Sequence, residues 1–61
     1  MFFILNYKTH TFTTADYPEQ VGTTIDTMII NNEAMADEIE IINASDENCR
    51  MSVDEFKTNW L

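Results

Sequence analysis

The sequence predicts a small α+β domain, an antiparallel sheet with two helices on one face in the order β-β-α-β-α. Three observations carry that expectation. Two short runs rich in aromatic and β-branched residues, Phe2 to Asn6 and His10 to Thr14, open the chain. A helical stripe of apolar residues then follows an Asp16-Tyr17-Pro18-Glu19 start, and Ser52-Val53-Asp54-Glu55 signals a second helix. Branched and aromatic side chains suit a pleated surface, whereas apolar residues three and four apart share a helix face.

Phe2 to Asn6 reads as a strand that is apolar on both faces, with Tyr7-Lys8-Thr9 as a tight connection to a partner at His10 to Thr14. Asp16 is placed to cap the first helix, with Glu19 three residues on as the second acid of a capping box. Pro18 falls in the first turn, where its missing N–H does no harm. Val21, Ile25, Met28 and Ile29 form one stripe. Gly22 interrupts it at a cost of about 1 kcal/mol against alanine, which suggests close contact there. Asn31-Asn32 should end the helix, because asparagine tolerates the left-handed conformation.

Glu38-Ile39-Glu40-Ile41 alternates, which predicts a strand burying Ile39 and Ile41 and turning both glutamates to the other face, roughly 7 Å apart. Asn43 to Asn48 is polar loop chemistry, either a plain connection or the turn of a second hairpin returning through Cys49 to Met51, which would add a short strand before the last helix. Ser52 and Glu55 complete a capping box there, with Met51 packing on Phe56 as a staple. Val53, Phe56 and Trp60 share its face.

The chain has 61 residues, the size of one domain, and a domain of this size buries only about 60% of its unfolded surface. Cys49 is the only cysteine and His10 the only histidine, so neither an internal disulfide nor a Cys/His zinc site is available. An aliphatic and aromatic core, completed by a second copy of the chain if need be, must supply the stability. The run Met1 to Leu5 is too short for a signal or spanning segment, so a cytoplasmic location is expected and the sequon at Asn43-Ala44-Ser45 is read as chance.

Eleven acids against three bases give a net charge of −8, which argues against direct binding to nucleic acid or an anionic membrane. The charge is uneven. Residues 1–32 sum to −2 and residues 33–61 to −6. Glu33, Asp37, Glu38, Glu40, Asp46, Glu47, Asp54 and Glu55 form the candidate partner-binding set, because a compact carboxylate surface imitates phosphate backbone and can occupy a basic groove. Against this stands the simpler role of acids as solubilising and helix-capping groups, which Asp54 and Glu55 already fill.

Catalysis is not expected. His10 and Cys49 are singletons that read as a surface histidine and a small buried thiol. A calcium loop beginning at Asp46 would place Met51 where glycine is needed and Lys57 where glutamate is needed. Gly22, the only glycine, cannot build a phosphate cradle, and no cofactor is implied. Apolar residues on both faces of Phe2 to Leu5, Met28 to Ile30 and Ile41-Ile42 mean either that the strands are covered on both sides or that leftover apolar surface serves self-association or docking, against the simpler reading of isolated exposed apolar residues.

In length, acidity and simple α+β organisation the chain resembles the small proteins that bacteriophages encode to disable host machinery, including anti-CRISPR and anti-restriction proteins that imitate DNA. The resemblance lies in this outline and in no residue motif. It implies a stoichiometric inhibitor of a nucleic-acid enzyme, acting in the host cytoplasm. The leading expectation is therefore an inhibitor or modulator that blocks the basic nucleic-acid-binding surface of a larger protein. The alternative is a non-catalytic assembly module that forms a homodimer or docks on a host subunit through its apolar faces.

Overall fold

The computed structural model describes residues 1–46 and 49–61. Four strands, β1 (Phe2–Asn6), β2 (Thr11–Ala15), β3 (Ile39–Asn43) and β4 (Arg50–Met51), form one antiparallel sheet in the order β2-β1-β3-β4. Helix α1 (Pro18–Ile30) joins β2 to β3 through a single 3-10 turn at Ala36–Glu38, and α2 (Val53–Trp60) follows β4. The α+β class is as the sequence predicts.

β1 occupies the centre, where its apolar residues on one face, Phe2 and Ile4, are buried under the helices and those on the other, Phe3 and Leu5, are half-buried between the neighbouring strands. It pairs with β2 from Phe2↔Ala15 to Asn6↔Thr11 and with β3 from Phe2↔Asn43 to Asn6↔Ile39. Both helices pack on one face. Phe2, Ile4, Ile39, Ile41 and Met51 from the sheet meet Val21, Ile25, Met28, Val53 and Phe56 from the helices in a single buried cluster. Phe2 sets the aromatic packing, edge-on to Phe56 at 5.5 Å and to Trp60 at 5.1 Å between ring centroids. Such edge-to-face pairs contribute about 0.5–1.5 kcal/mol beyond the area they bury.

Several local expectations need correction. Asp16 does not cap α1. The N-cap is Tyr17, and the Gln20 side chain takes the part expected of Glu19, its Oε1 accepting from the Asp16 N–H at 3.0 Å and the Tyr17 N–H at 3.2 Å. With the N-cap one residue later than expected, the third helical position falls on Gln20, whose amide oxygen reaches back to the N-cap N–H. His10 lies in the β1–β2 turn with a φ of 57°, so β2 begins at Thr11 and runs on to Ala15. Ile29 sits at the margin of the α1 stripe and is 37% exposed.

Glu38 is not part of β3. It ends the 3-10 turn, where its Oε1 accepts the Met35 N–H at 3.0 Å, so Glu38 and Glu40 do not share a strand face. A three-residue capping interaction wins there over the alternating pattern. The end of α1 is as expected: Asn32 has a φ of 58°, and the Asn32 and Glu33 N–H groups donate to Ile29 and Met28 carbonyls at 3.1 and 2.8 Å. This bond pair closes a helix over a left-handed residue. The Ser52–Glu55 capping box forms at 3.2 Å in both directions, with Met51 and Phe56 buried in the common cluster.

Candidate functional site

The strand register fixes two ends of the sheet. At one lies the Tyr7–His10 turn beside the start of β3; at the other lies the β3–β4 turn, beside the start of β1. Asn6, buried among apolar neighbours, organises the first end. Its Oδ1 accepts the Lys8 and Thr9 N–H groups at 2.9 and 3.3 Å, and its Nδ2 donates to the Glu33 carbonyl at 3.2 Å. One side chain thereby ties the β1–β2 turn to the loop that follows α1. The Tyr7 N–H extends the same tie by donating to the Glu38 carbonyl at 2.9 Å.

These contacts gather most of the predicted carboxylates. Glu33, Asp37 and Glu38 lie on the segment fastened to that end. Glu40 reaches it from β3, its Oε1 accepting from the Tyr7 hydroxyl and the Arg50 guanidinium, each at 3.0 Å. Asp37, Glu40 and Glu55 line one cleft of about 270 Å³ with Tyr7, Arg50 and Ser52, and Asp54 precedes Glu55 in the first turn of α2. Asp46 is placed elsewhere, in the β3–β4 turn at the opposite end, where its N–H donates to the Asn43 carbonyl at 3.0 Å. Glu47 and the loop residue Asn48 lie outside the described residues.

The six gathered carboxylates are not equivalent. Glu38 and Glu55 cap turns, and Glu40 pairs with Arg50. Glu33, Asp37 and Asp54 are exposed, and among the described residues their carboxylates neither cap a turn nor join an ion pair. The Glu40 carboxylate raises the Tyr7 phenol above its ordinary value, first through their hydrogen bond and then through slight desolvation and its charge, while Arg50 opposes the shift. Tyr7 and Arg50 were not anticipated as members of this group. Their join depends on strand pairing across 33 and 10 residues of chain, which no local pattern reveals.

His10 and Cys49 fall at opposite ends of the sheet. The intervening length of β1 alone is about 13 Å at strand rise, so the pair cannot form a nucleophile and base. Cys49 packs half-buried against the core, and His10 is exposed.

The sheet face away from the helices holds a second group. Phe3 lies beside Thr14 and Ile42, Leu5 lies beside Phe12 and Glu40, and Ile42 lies beside Arg50. Phe3, Leu5 and Ile42 are half-buried, and Phe12 is 64% exposed while making an edge contact with Phe3 at 6.2 Å. Among the described residues no helix covers this face. A larger cleft of about 540 Å³ opens between the end of β2 and the first half of α1, lined by threonines together with Asp16 and Glu19. Among the described residues no helix is long and apolar enough to cross a membrane.

No protein-family model matches the chain, and no curated protein or solved structure gives a significant match.

Proposed function

We propose that the protein is a non-catalytic binding module that seats its acidic end on the basic surface of a larger protein and so blocks nucleic-acid binding there, as an inhibitor or modulator. The observation behind this reading is the gathering of Glu33, Asp37, Glu38, Glu40, Asp54 and Glu55 around one end of the sheet in a chain of net charge −8. Concentrated charge of one sign steers a partner of opposite sign and accelerates encounter. The exposed Glu33, Asp37 and Asp54 are the members best able to meet a partner, since their carboxylates are not needed to close a turn.

The test is retention of a lysate protein on the immobilised chain, eluted with salt steps and with duplex DNA. The expected partner leaves below about 0.5 M salt, where the screening length is only a few ångströms. It is displaced by the duplex. The double variant D37N/D54N should lose capture while D16N/E19Q, with the same change in charge, retains it. Capture that survives both high salt and D37N/D54N refutes the acidic-end reading.

A second reading is favoured by the uncovered sheet face, where Phe3, Leu5, Phe12 and Ile42 form an apolar strip bordered by Glu40 and Arg50. In this reading the chain is an assembly module whose strip meets another apolar surface. Binding of a hydrophobic dye that is abolished by Phe12→Thr supports it, and the absence of dye binding by the unmodified protein counts against it.

A further inference from the structure

Strand β2 ends the sheet, and it carries none of the devices that usually protect an edge. Its residues Thr11 to Thr14 are exposed, uncharged and free of proline, and they pair with β1 residue for residue without a bulge. Such an edge is a template for another strand. The opposite edge, β4, is two residues long and includes the charged Arg50.

The charge around β2 says what the other strand is. Residues 1–15 contain no acid and one base, Lys8, while residues 16–61 hold all eleven acids against two bases. Two copies of a chain with net charge −8 therefore have one edge at which they can meet without opposing carboxylates. The flanks of that edge are also self-complementary when antiparallel. Lys8 and His10 precede β2, and Asp16 and Glu19 follow it. A two-fold axis through Thr13 sets Phe12 beside Thr14 of the second copy, and the same register carries the turn that holds Lys8 and His10 alongside the Asp16–Glu19 segment of that copy, where the Lys8 Nζ, which donates to the Asn32 carbonyl at 3.3 Å within one chain, can exchange that bond for a carboxylate. Symmetry makes each contact twice.

We propose that the protein forms a homodimer by antiparallel pairing of β2 with β2 of a second copy, giving one eight-stranded sheet. Its two-fold axis runs perpendicular to the sheet, so the uncovered faces of both copies become one continuous apolar surface. This rests on the assembly reading of that face for its consequence, but the pairing itself rests on the edge and its flanking charges.

Sedimentation equilibrium of the full chain at micromolar to millimolar concentration tests it, with far-UV circular dichroism as the check that each variant is folded. The unmodified protein should reach twice the 7.1 kDa of one chain. Thr13→Lys, which sets two like charges face to face at the axis and lies on the helix side of the sheet, should return the mass to that of a monomer. Lys8→Glu should weaken association by about tenfold, as expected for the loss of two exposed ion pairs. Ile42→Lys, on the open face and two strands from the edge, should leave the dimer intact. A monomer at millimolar concentration overturns the proposal. So does a dimer that survives Thr13→Lys and is lost in Ile42→Lys; that outcome would retain the assembly reading and replace edge pairing with face packing.

Discussion

Replacing Gly22 with alanine sets two effects of known size against each other. Gly22 is buried in the interior of α1, where alanine is favoured over glycine by about 1 kcal/mol. An added Cβ would stand 3.0 Å from Leu61 Cδ1 and has no closer neighbour. Carbon atoms prefer about 3.5–4.0 Å, so Leu61 must yield by roughly half an ångström or more. Leu61 is 61% exposed, and the obstructing atom is the far end of its side chain. Moving it off its rotamer costs on the order of 0.5 kcal/mol. Gly22→Ala should therefore stabilise the fold by about 0.5 kcal/mol, a rise in Tm of roughly 2–4 °C for a domain of this size. Urea and thermal unfolding followed by circular dichroism give the value. In a Leu61→Ala background the obstacle is gone, and the same substitution should gain the full helix-propensity difference of about 1 kcal/mol. If Gly22→Ala destabilises that background, the glycine answers to some constraint other than Leu61 and the reasoning fails.

Further outcomes follow from the capping and turn contacts. Asn6→Ala removes three hydrogen bonds from a buried site and should cost roughly 2–3 kcal/mol by urea unfolding, with the Tyr7–His10 turn losing amide-exchange protection first. Ser52→Ala should cost about 1 kcal/mol, and Glu55→Gln, which keeps an acceptor in the capping box, distinctly less. In a Tyr17→Phe background, the Tyr7 phenolate absorbance should appear above the ordinary tyrosine range near ~10, and Glu40→Gln should bring it down. Because the folded value is raised, this contact's stabilisation is present below the ordinary value and is lost as pH climbs through the raised one. A Tyr7 titration that Glu40→Gln leaves unchanged would contradict the assigned hydrogen bond.

The candidate site was legible in part. Acid content and its concentration in residues 33–61 are properties of the chain, and so is the capping role of Glu55. That Asp46 lies at the opposite end of the sheet from Glu33, Asp37, Glu38 and Glu40 was not legible, because β3 carries the chain from one end of the sheet to the other between Glu38 and Asp46. Glu38 illustrates a different limit. Its alternation with Ile39 suits a strand, yet a hydrogen bond three residues back decides its conformation.

Local chemistry by itself determined the elements of this protein: the two helix starts within a residue, the left-handed Asn32, the apolar residues that fill the core and the sign of the charge. Those signals act over a few residues, through capping bonds and side-chain periodicity, and so they survive in the one-dimensional pattern. Tertiary structure alone decided the rest. Strand pairing placed β1 at the centre and left the uncharged β2 at an edge. Packing of both helices on one face left Phe3, Leu5, Phe12 and Ile42 uncovered. The long-range bonds of Asn6, Tyr7 and Glu40 drew six carboxylates to one end. Each of these depends on which segments meet across tens of residues, and that choice is made by burying the whole core at once.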